Sequence, residues 1–392
     1  MGRTIKIAIY TGLVPSTTFI ERLIQGLAEN GLHIYLFGFQ NKKNRTVKNT
    51  HYITYKTKLS KLVLLIKYSL LLIIFKKKDK KKLDKIILNQ DKNTRQLKVK
   101  YYPVLYHCPD IFHLQWAKSI EDWLWVQEFG IKLILSLRGT HITISPIGDE
   151  RWEKIYSQYF SRLDGFHAVS KSMVPIAQKF GALPEKIKVI RSGLDLKKLP
   201  FLSKTENNKS LNVISIGRSH WTKGYTYALD AMDLFSKENI DFNYTIVGVE
   251  SDEELLYKRS QFELENKITF KETLPFAAVI ALIRNADVLL LSSVEEGIAN
   301  VVLEAMALGT LVISTDCGGM KEVVSDNENG FLVPSRDSEA IATALRNVSE
   351  MNIEAYKTIT KAARNTIEKN HNYENMIVEM KDLYQTILKD QT

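Results

Sequence analysis

The stretch Ser293-Val-Glu-Glu-Gly-Ile-Ala-Asn-Val-Val-Leu-Glu-Ala-Met-Ala-Leu-Gly309 decides how this chain folds. One apolar run, residues 288–292, precedes it, and a second, residues 311–316, follows it. The pattern predicts a strand, a loop, a short helix and another strand, with Gly309 as the left-handed residue that ends the helix. Alternation of strands and helices in this way predicts a parallel sheet.

The loop before the predicted helix has the composition of an anion site. Gly297 relieves the turn, and three amides are expected at the helix N-terminus without intrahelical partners, those of Ile298, Ala299 and Asn300. Such amides lie at the positive end of the helix dipole and bind anions. Glu296 and Glu304 flank them, and carboxylates beside an anion suit hydrogen bonds from sugar hydroxyls. We infer a site for a phosphorylated sugar.

Length and composition indicate a globular protein of two domains. The chain has 392 residues, of which 45% are hydrophobic and 25% charged, which is too long for one ordinary core and suits two α/β domains. Its two cysteines exclude a disulfide framework and fit a reducing compartment. The apolar residues 5–10 are too few for a signal peptide and are predicted as a first strand.

The positive charge of the chain is concentrated near its start. The net charge is +10, and Lys76-Lys-Lys-Asp-Lys-Lys-Lys82 directly follows the apolar residues 62–75. That run is shorter than the ~20 residues that span a bilayer, and Lys67 interrupts it. We expect residues 62–82 to contact an anionic membrane surface, and the protein to be cytoplasmic and peripheral on the inner face of the cell membrane. A core helix followed by a solvated loop is the alternative.

Nucleic acid is not an expected partner. No nucleic-acid-binding motif accompanies the basic block, and aromatic residues are not interleaved with its lysines.

Strand and helix patterns repeat along both halves of the chain. A strand at residues 5–10, a helix at 16–29 and a strand at 33–38 form a βαβ opening. Further strands are predicted at 110–114, 132–139, 165–170 and 188–195, with a helix through Trp125 after the first of them. The polar residues 200–210 are the predicted linker. A second series follows, with strands predicted at 211–217, 244–248, 268–270, 288–291, 311–314 and 330–333, and a helix at 225–237.

Two cations follow the first strand of the second half. Gly217-Arg218 ends that strand, and Lys223-Gly224 comes shortly after it. The guanidinium fork matches phosphate oxygens, and the ammonium adds a compact second charge. We predict that both bind phosphate.

The motif around Glu296 resembles a known signature. Glu296-x7-Glu304 followed by Asp316-x-Gly318-Gly319 is similar to the motif of the retaining glycosyltransferases of family 4. The resemblance implies that Glu296 lies against the donor sugar and that Glu304 binds the ribose of the nucleotide. The spacing of Arg218 and Lys223 resembles the element of that family whose two cations hold the diphosphate. By this resemblance the catalytic residues are Glu296, Arg218 and Lys223.

The resemblance also implies a fold. It is α/β of the GT-B type, with two doubly wound Rossmann-like domains that face one another across a cleft. Residues 1–200 are expected to bind the acceptor and residues 201–371 the nucleotide sugar. Residues 372–392 are expected to form a helix that crosses back to the first domain.

The implied reaction is the retaining transfer of a hexose from a nucleotide sugar to a glycan or a lipid-linked acceptor, in bacterial-type surface polysaccharide biosynthesis. UDP is favoured as the nucleotide, and GDP is the next choice. The chain contains no Asp-x-Asp motif, so we expect no metal ion, and no cofactor besides the donor. Preorganised cations and helix amides are expected to stabilise the leaving diphosphate instead.

The first half departs from the family pattern. Gly12 follows the first strand and is expected to let the backbone approach a ligand closely, and the resemblance implies that this ligand is the donor phosphates. Where the family has His-Gly-x-Asp, this chain has Arg138-Gly-Thr-His141. Arg138 is a candidate contact to a donor phosphate or an acidic acceptor, and His141 or His113 is a candidate imidazole. Two other hypotheses stay open, a non-catalytic nucleotide-binding partner subunit and a nucleotide-sugar epimerase or hydrolase.

Overall fold

The computed structural model describes residues 4–42, 46–90, 92–206 and 209–389. The chain divides into two compact units. Unit 1 comprises Met1–Val169, Met173–Ile190 and Ile377–Thr392, and unit 2 comprises Ser170–Ser172 and Arg191–Met376. The predicted boundaries lay after residues 200 and 371. The predicted linker at 200–210 includes Asn207 and Asn208, which lie outside the described residues, whereas the Leu202 amide donates to the Leu308 carbonyl within unit 2.

The sheet of unit 1 is built from eight strands of the described residues, and their recorded pairings are parallel. The strands are β1 (Lys6–Tyr10), β2 (Gly12–Val14), β3 (His33–Gln40), β4 (Thr50–Tyr55), β5 (Ile111–Leu114), β6 (Lys132–Leu137), β7 (Gly165–Ala168) and β8 (Ile187–Val189). Their order is β2-β3-β1-β5-β6-β7-β8, and β4 pairs with β3. Strands such as β5 and β7 are buried along their whole length, because helices cover both faces of such a sheet.

Helices of very different lengths connect the strands of unit 1. They are α1 (Thr18–Glu29), α2 (Lys58–Phe75), α3 (Lys77–Leu88), α4 (Thr94–His107), α5 (Ile120–Trp123), α6 (Thr140–Thr143), α7 (Ser145–Gly148), α8 (Glu150–Tyr159) and α9 (Met173–Lys179). In none of the described ranges is a helix both long enough and apolar enough to cross a membrane.

Unit 2 has a six-stranded sheet with parallel pairings. Its strands are β9 (Leu211–Ile216), β10 (Phe242–Val247), β11 (Ile268–Lys271), β12 (Val288–Leu291), β13 (Leu311–Thr315) and β14 (Phe331–Val333), in the order β11-β10-β9-β12-β13-β14. Its helices are α10 (Tyr225–Ser236), α11 (Glu253–Gln261), α12 (Phe276–Asn285), α13 (Asn300–Leu308), α14 (Ser338–Ser349) and α15 (Ile353–Asn370). The last helix, α16 (Tyr373–Lys389), begins in unit 2 and continues in unit 1 from Ile377.

The elements predicted around the opening motif are confirmed. β12, α13 and β13 follow one another as expected, and Gly309 caps α13 in the left-handed conformation with φ of 90°. β12 and β13 are buried throughout, which agrees with continuous apolar runs in a parallel sheet.

The helix predicted through Trp125 is wrong. The segment forms α5 between two 3₁₀ turns, Ala117–Ser119 and Leu124–Phe129. Trp123 and Trp125 are both buried. Residues two apart lie on opposite sides of an α-helix, so a regular helix on the surface of this unit would expose one of the two rings.

Helix α2 is buried along only one of its sides. Tyr68 and Leu72 enter the core of unit 1. Seven aliphatic side chains on another side are exposed, and we call them the apolar stripe: Leu59, Leu62, Val63, Ile66, Leu70, Ile73 and Ile74. At 3.6 residues per turn these positions occupy an arc of about 120°. In the structure, the apolar run at residues 62–75 therefore has one face that is exposed and covered by no other described element.

Candidate functional site

The predicted site residues of unit 2 follow two neighbouring strands. Arg218 and Lys223 follow β9, and Glu296 follows β12. The chain continues from β9 to β10 on one side of the sheet, whereas β12 pairs with β9 on the other side. Open parallel sheets bind ligands at such a reversal of strand order, outside the carboxyl ends of the strands.

Lys223 and Glu296 form an ion pair at this reversal. The Lys223 Nζ lies 2.5 Å from Glu296 Oε1, and the two side chains are 20% and 18% exposed. The Ser293 hydroxyl donates to the same carboxylate oxygen at 3.1 Å. The acid and the cation that the sequence placed in one site are therefore in direct contact.

Hydrogen bonds to backbone carbonyls hold the two loops together. The Val294 amide donates to the Thr222 carbonyl at 2.7 Å, and the Ser292 hydroxyl donates to the Lys223 carbonyl at 2.9 Å. The Thr315 hydroxyl, at the end of β13, donates to the Ser293 carbonyl at 2.5 Å. These contacts fix the position of the Lys223–Glu296 pair before any ligand binds.

Two glycines permit this loop packing. Gly318 has φ of +55°, and a Cβ there would lie 1.7 Å from the Glu296 carbonyl oxygen. Gly224 has φ of +62°, and its Cβ would lie 2.1 Å from the Ser292 carbonyl oxygen. No side chain fits at such distances, and the left-handed conformation favours glycine besides. The glycines of the motif thus allow backbone contacts within unit 2.

Arg218 is exposed, and the described residues provide no hydrogen-bond or ion-pair partner for its guanidinium. Gly217, before it, packs tightly, since a Cβ there would lie 2.8 Å from the Tyr225 hydroxyl and 3.0 Å from Lys223 Cε. A guanidinium without an anion is suited to bind one.

The helix N-terminus differs in one respect from the prediction. Ala299 is the N-cap residue of α13, with no side-chain cap. Its amide donates to Met320 Sδ at 3.4 Å, so the expectation that this amide is free is wrong. For the amides of Ile298 and Asn300 the described residues supply no acceptor. Glu304 lies on α13 and is buried.

Tyr225 is a residue that the sequence did not indicate. It begins α10 and is buried, and its hydroxyl has no hydrogen-bond partner among the described residues. Burial raises the pKa of Tyr225 well above its usual value, and the nearby Tyr244 and Glu296 raise it further. The sequence Gly224-Tyr225 does not by itself indicate a site residue. The approach of the Tyr225 hydroxyl to Gly217 depends on the fold.

The predicted residues of unit 1 lie near the ends of β1 and β6. Gly12 has φ of +81° and begins β2. Arg138 follows β6 and donates to Gln115 Oε1 at 3.2 Å, with its guanidinium 4.7 Å from the centre of the Phe19 ring. Burial lowers the pKa of Arg138 to about 10. His141, on α6, stacks on the Trp116 ring at 5.2 Å.

His113 is part of a buried network in unit 1. Its Nδ1 lies 2.8 Å from the Tyr384 hydroxyl and its Nε2 lies 2.9 Å from Ser136 Oγ. Burial lowers the pKa of His113 well below its usual value, and His167 and Arg138 lower it further. Both ring nitrogens are engaged, so this imidazole joins β5 to β6 and α16.

Comparisons with known proteins agree with the fold and the motif. The model of the family described as "Glycosyl transferases group 1" matches residues 201–366. The putative colanic acid biosynthesis glycosyltransferase WcaL of Escherichia coli K12 is 31% identical over 239 residues, which are 59% of either chain. The amylovoran biosynthesis glycosyltransferase AmsK of Erwinia amylovora is 25% identical over 250 residues, 60% of this chain and 61% of AmsK.

Solved structures share the fold over nearly the whole chain. The structure of Anabaena Alr3699/HepE in complex with UDP and glucose has a TM-score of 0.73 at 16% identity, and the match covers 97% of this chain and 100% of HepE.

The chain spans about three fifths of the length of the curated relatives it matches. The matched family segment contains the whole of the Lys223–Glu296 site and the Asp316-x-Gly-Gly turn. Residues 201–366 of the chain are therefore similar to the glycosyl transferases group 1, and the chain has the GT-B fold.

Proposed function

We propose that this protein is a retaining, metal-independent glycosyltransferase that moves a hexose from a nucleotide sugar to a glycan or lipid-linked acceptor. The observation that carries the proposal is the contact between Lys223 and Glu296 at the strand-order reversal of unit 2, where Arg218 follows the same strand as Lys223. The match of that segment to the glycosyl transferases group 1 supports the reaction class. The names of WcaL and AmsK support a place in surface polysaccharide biosynthesis.

The proposed chemistry assigns a role to each charge. The bond between the anomeric carbon and the diphosphate oxygen breaks, and an acceptor oxygen forms the new bond on the same face. The proton of the acceptor hydroxyl passes to the departing diphosphate oxygen. Negative charge develops on the leaving diphosphate, and the Arg218 guanidinium and Lys223 ammonium stabilise it. Glu296 accepts hydrogen bonds from the donor sugar, and Glu304 from the ribose.

The proposed donor is a UDP-sugar, and the proposed reaction needs no metal ion. The HepE complex with UDP and glucose supports the choice of nucleotide. Within the described residues no group of three or more His, Cys, Asp or Glu side chains is arranged to hold a metal, and the sequence lacks an Asp-x-Asp motif. Arg218, Lys223 and the helix amides take the role of the ion in this proposal.

We propose that the protein lies at the inner face of a membrane. The support is the apolar stripe of α2 together with exposed lysines of α3. Lys77, Lys78 and Lys81 are exposed and have no carboxylate partner in the described part of the chain, so they attract an anionic leaflet. Other lysines of the block are held within the fold, since Lys80 pairs with Asp84 and Lys82 with Glu128.

The test is calorimetric binding of UDP, GDP, ADP and dTDP, each with and without EDTA, followed by mass spectrometry of products from the matching nucleotide sugars. We expect saturable binding of UDP that EDTA does not change and that Arg218→Ala abolishes. Lys237→Ala, which removes an exposed cation elsewhere in unit 2, serves as the control. Sugar-nucleotide consumption without a glycosylated product would favour an epimerase or hydrolase, and nucleotide binding without consumption a partner subunit.

A further inference from the structure

Unit 1 contains a cationic cavity of about 270 Å³ between α2 and α4. Lys58 and Lys61 of α2 and Arg95 of α4 line it, and none of its lining residues is an Asp or Glu. The described residues give these three cations no carboxylate partner. The cavity is therefore a concentration of unbalanced positive charge in a protein that elsewhere pairs many of its lysines.

The polar groups of this cavity suit a phosphate. Arg95 supplies a planar fork of donors, and the two lysines supply compact charges. The Gln96 side chain lines the same wall and adds an amide donor. Lys61 is held over the Tyr55 ring at 5.5 Å, which leaves its ammonium donors available.

The cavity opens on the apolar stripe. Leu62 lines the cavity and is also a member of the stripe, with 36% of its surface exposed. From Leu62 the stripe continues along α2 to Ile74, and the exposed Lys67 borders it. A ligand that binds both the cavity and the apolar stripe must therefore combine an anionic group with a long apolar chain.

A second cavity joins the first one on the other side. It has a volume of about 150 Å³, shares Lys61, Gln96 and Val99 with the first, and reaches Tyr10 and Gly12. Lys100 also lines it, but its charge is balanced by Asp122 at 2.6 Å. The second cavity is thus less charged than the first. Gly12, which is predicted to face the donor phosphates, is one of its lining residues.

We propose that the α2–α4 cavity binds the phosphate of a lipid-linked acceptor. The lipid chain lies on the apolar stripe, and the group to be glycosylated extends through the second cavity towards Gly12. This inference rests on the proposed transferase function, since it names the class of its acceptor, a polyprenyl phosphate or diphosphate. It does not depend on the nucleotide site of unit 2.

The test compares two variants with the same loss of charge. Lys61→Gln/Arg95→Gln removes two cations from the cavity, and Lys77→Gln/Lys78→Gln removes two exposed cations of α3 that do not line it. Binding of the full chain is measured on three kinds of phosphatidylcholine vesicle, which are unmodified, charged with phosphatidylglycerol, or charged equally with a polyprenyl phosphate. Inorganic phosphate is added as a competitor, and circular dichroism verifies that both variants fold.

We expect the cavity variant to bind polyprenyl-phosphate vesicles at least about tenfold more weakly than the α3 variant, because two charge-assisted contacts are lost. On phosphatidylglycerol vesicles the two variants should be equally weakened. Equal weakening on both anionic vesicles would overturn the proposal in favour of a general surface charge effect. Displacement of the lipid by millimolar inorganic phosphate would overturn it in favour of a free-anion site.

The nucleotide titration separates this inference from the proposed function. Both variants should bind UDP as the wild type does, because the substitutions lie in unit 1. Wild-type protein that binds the lipid phosphate but no nucleotide would leave the cavity assignment standing and contradict the transferase function.

Discussion

Lys223 and Glu296 are in contact through a 2.5 Å interaction between Nζ and Oε1, although 73 residues separate them in the chain. The cation proposed for the diphosphate thus balances the acid proposed for the donor sugar. A bound diphosphate would give Lys223 a second anion. The pair therefore orients both groups for the donor.

Lys223→Met should lower turnover by about 10²–10³-fold, because one of two preorganised cations at the leaving group is lost. UDP affinity should fall as well, and both are measured by steady-state kinetics and calorimetry. Lys237→Met is the matched control, since Lys237 is exposed and pairs with Asp233 on the same helix. Wild-type turnover in Lys223→Met would contradict the role given to this lysine.

Gly318→Ala should destabilise unit 2 and displace Glu296. The new Cβ would lie 1.7 Å from the Glu296 carbonyl oxygen, so the backbone of one loop must move. We expect a loss of at least about 2 kcal/mol in the free energy of unfolding, measured by urea denaturation, and loss of turnover.

Gly31→Ala measures the cost of the left-handed backbone conformation without a steric clash. Gly31 also has a positive φ, of +86°, but nothing lies within 4 Å of its Cβ position. That variant should lose only about 1 kcal/mol, from the left-handed conformation alone. Equal losses in Gly31→Ala and Gly318→Ala would show that the contact with Glu296 is unimportant.

The sequence predicted the elements of this site better than the contacts between them. β12, α13 and the cap at Gly309 follow from apolar runs and one glycine, which are local signals. The contact between Lys223 and Glu296, and the approach of Gly318 to the Glu296 carbonyl, join segments that are distant in the chain. Composition and spacing carry no information on such distances.

The lack of information on contacts between distant segments also explains two differences between the predicted and the observed site. The Ala299 amide was expected to be free because helix N-termini lack intrahelical acceptors, but Met320 Sδ from a later turn accepts from it. Tyr225 was not indicated because its buried hydroxyl is defined by the tight packing of Gly217.

Tyr225→Phe should leave the free energy of unfolding unchanged or raise it. The hydroxyl is buried and has no partner among the described residues, and a buried polar group without a partner costs about 1–3 kcal/mol. Thermal and urea unfolding measure this effect. If Tyr225→Phe also weakens UDP-sugar binding by calorimetry, the hydroxyl donates to the ligand, and Tyr227→Phe, on the same helix, is the control.

The stability of the protein should fall as the pH decreases from about 6.5 towards 4. Burial lowers the pKa of His371 to about 4, although its hydrogen bond to the Ser192 carbonyl acts in the opposite direction. Burial and the charge of Arg138 lower the pKa of His167 to about 3. The unfolded chain protonates these imidazoles near pH 6.5, so between about pH 6.5 and 4 it binds more protons than the folded protein. Stability therefore decreases as the pH falls through that window.

His371→Gln tests the origin of this dependence. The glutamine amide keeps a donor for the Ser192 carbonyl, which lies 2.9 Å from His371 Nδ1, but it does not titrate. In urea denaturation from about pH 7.5 to about pH 5, the variant should therefore lose less stability on acidification than the wild type. His220→Gln, at an exposed position of unit 2, should retain the wild-type slope. An unchanged slope in His371→Gln would assign the acid sensitivity to other groups, because a neutral imidazole held by burial must lower stability when the unfolded chain takes up its proton.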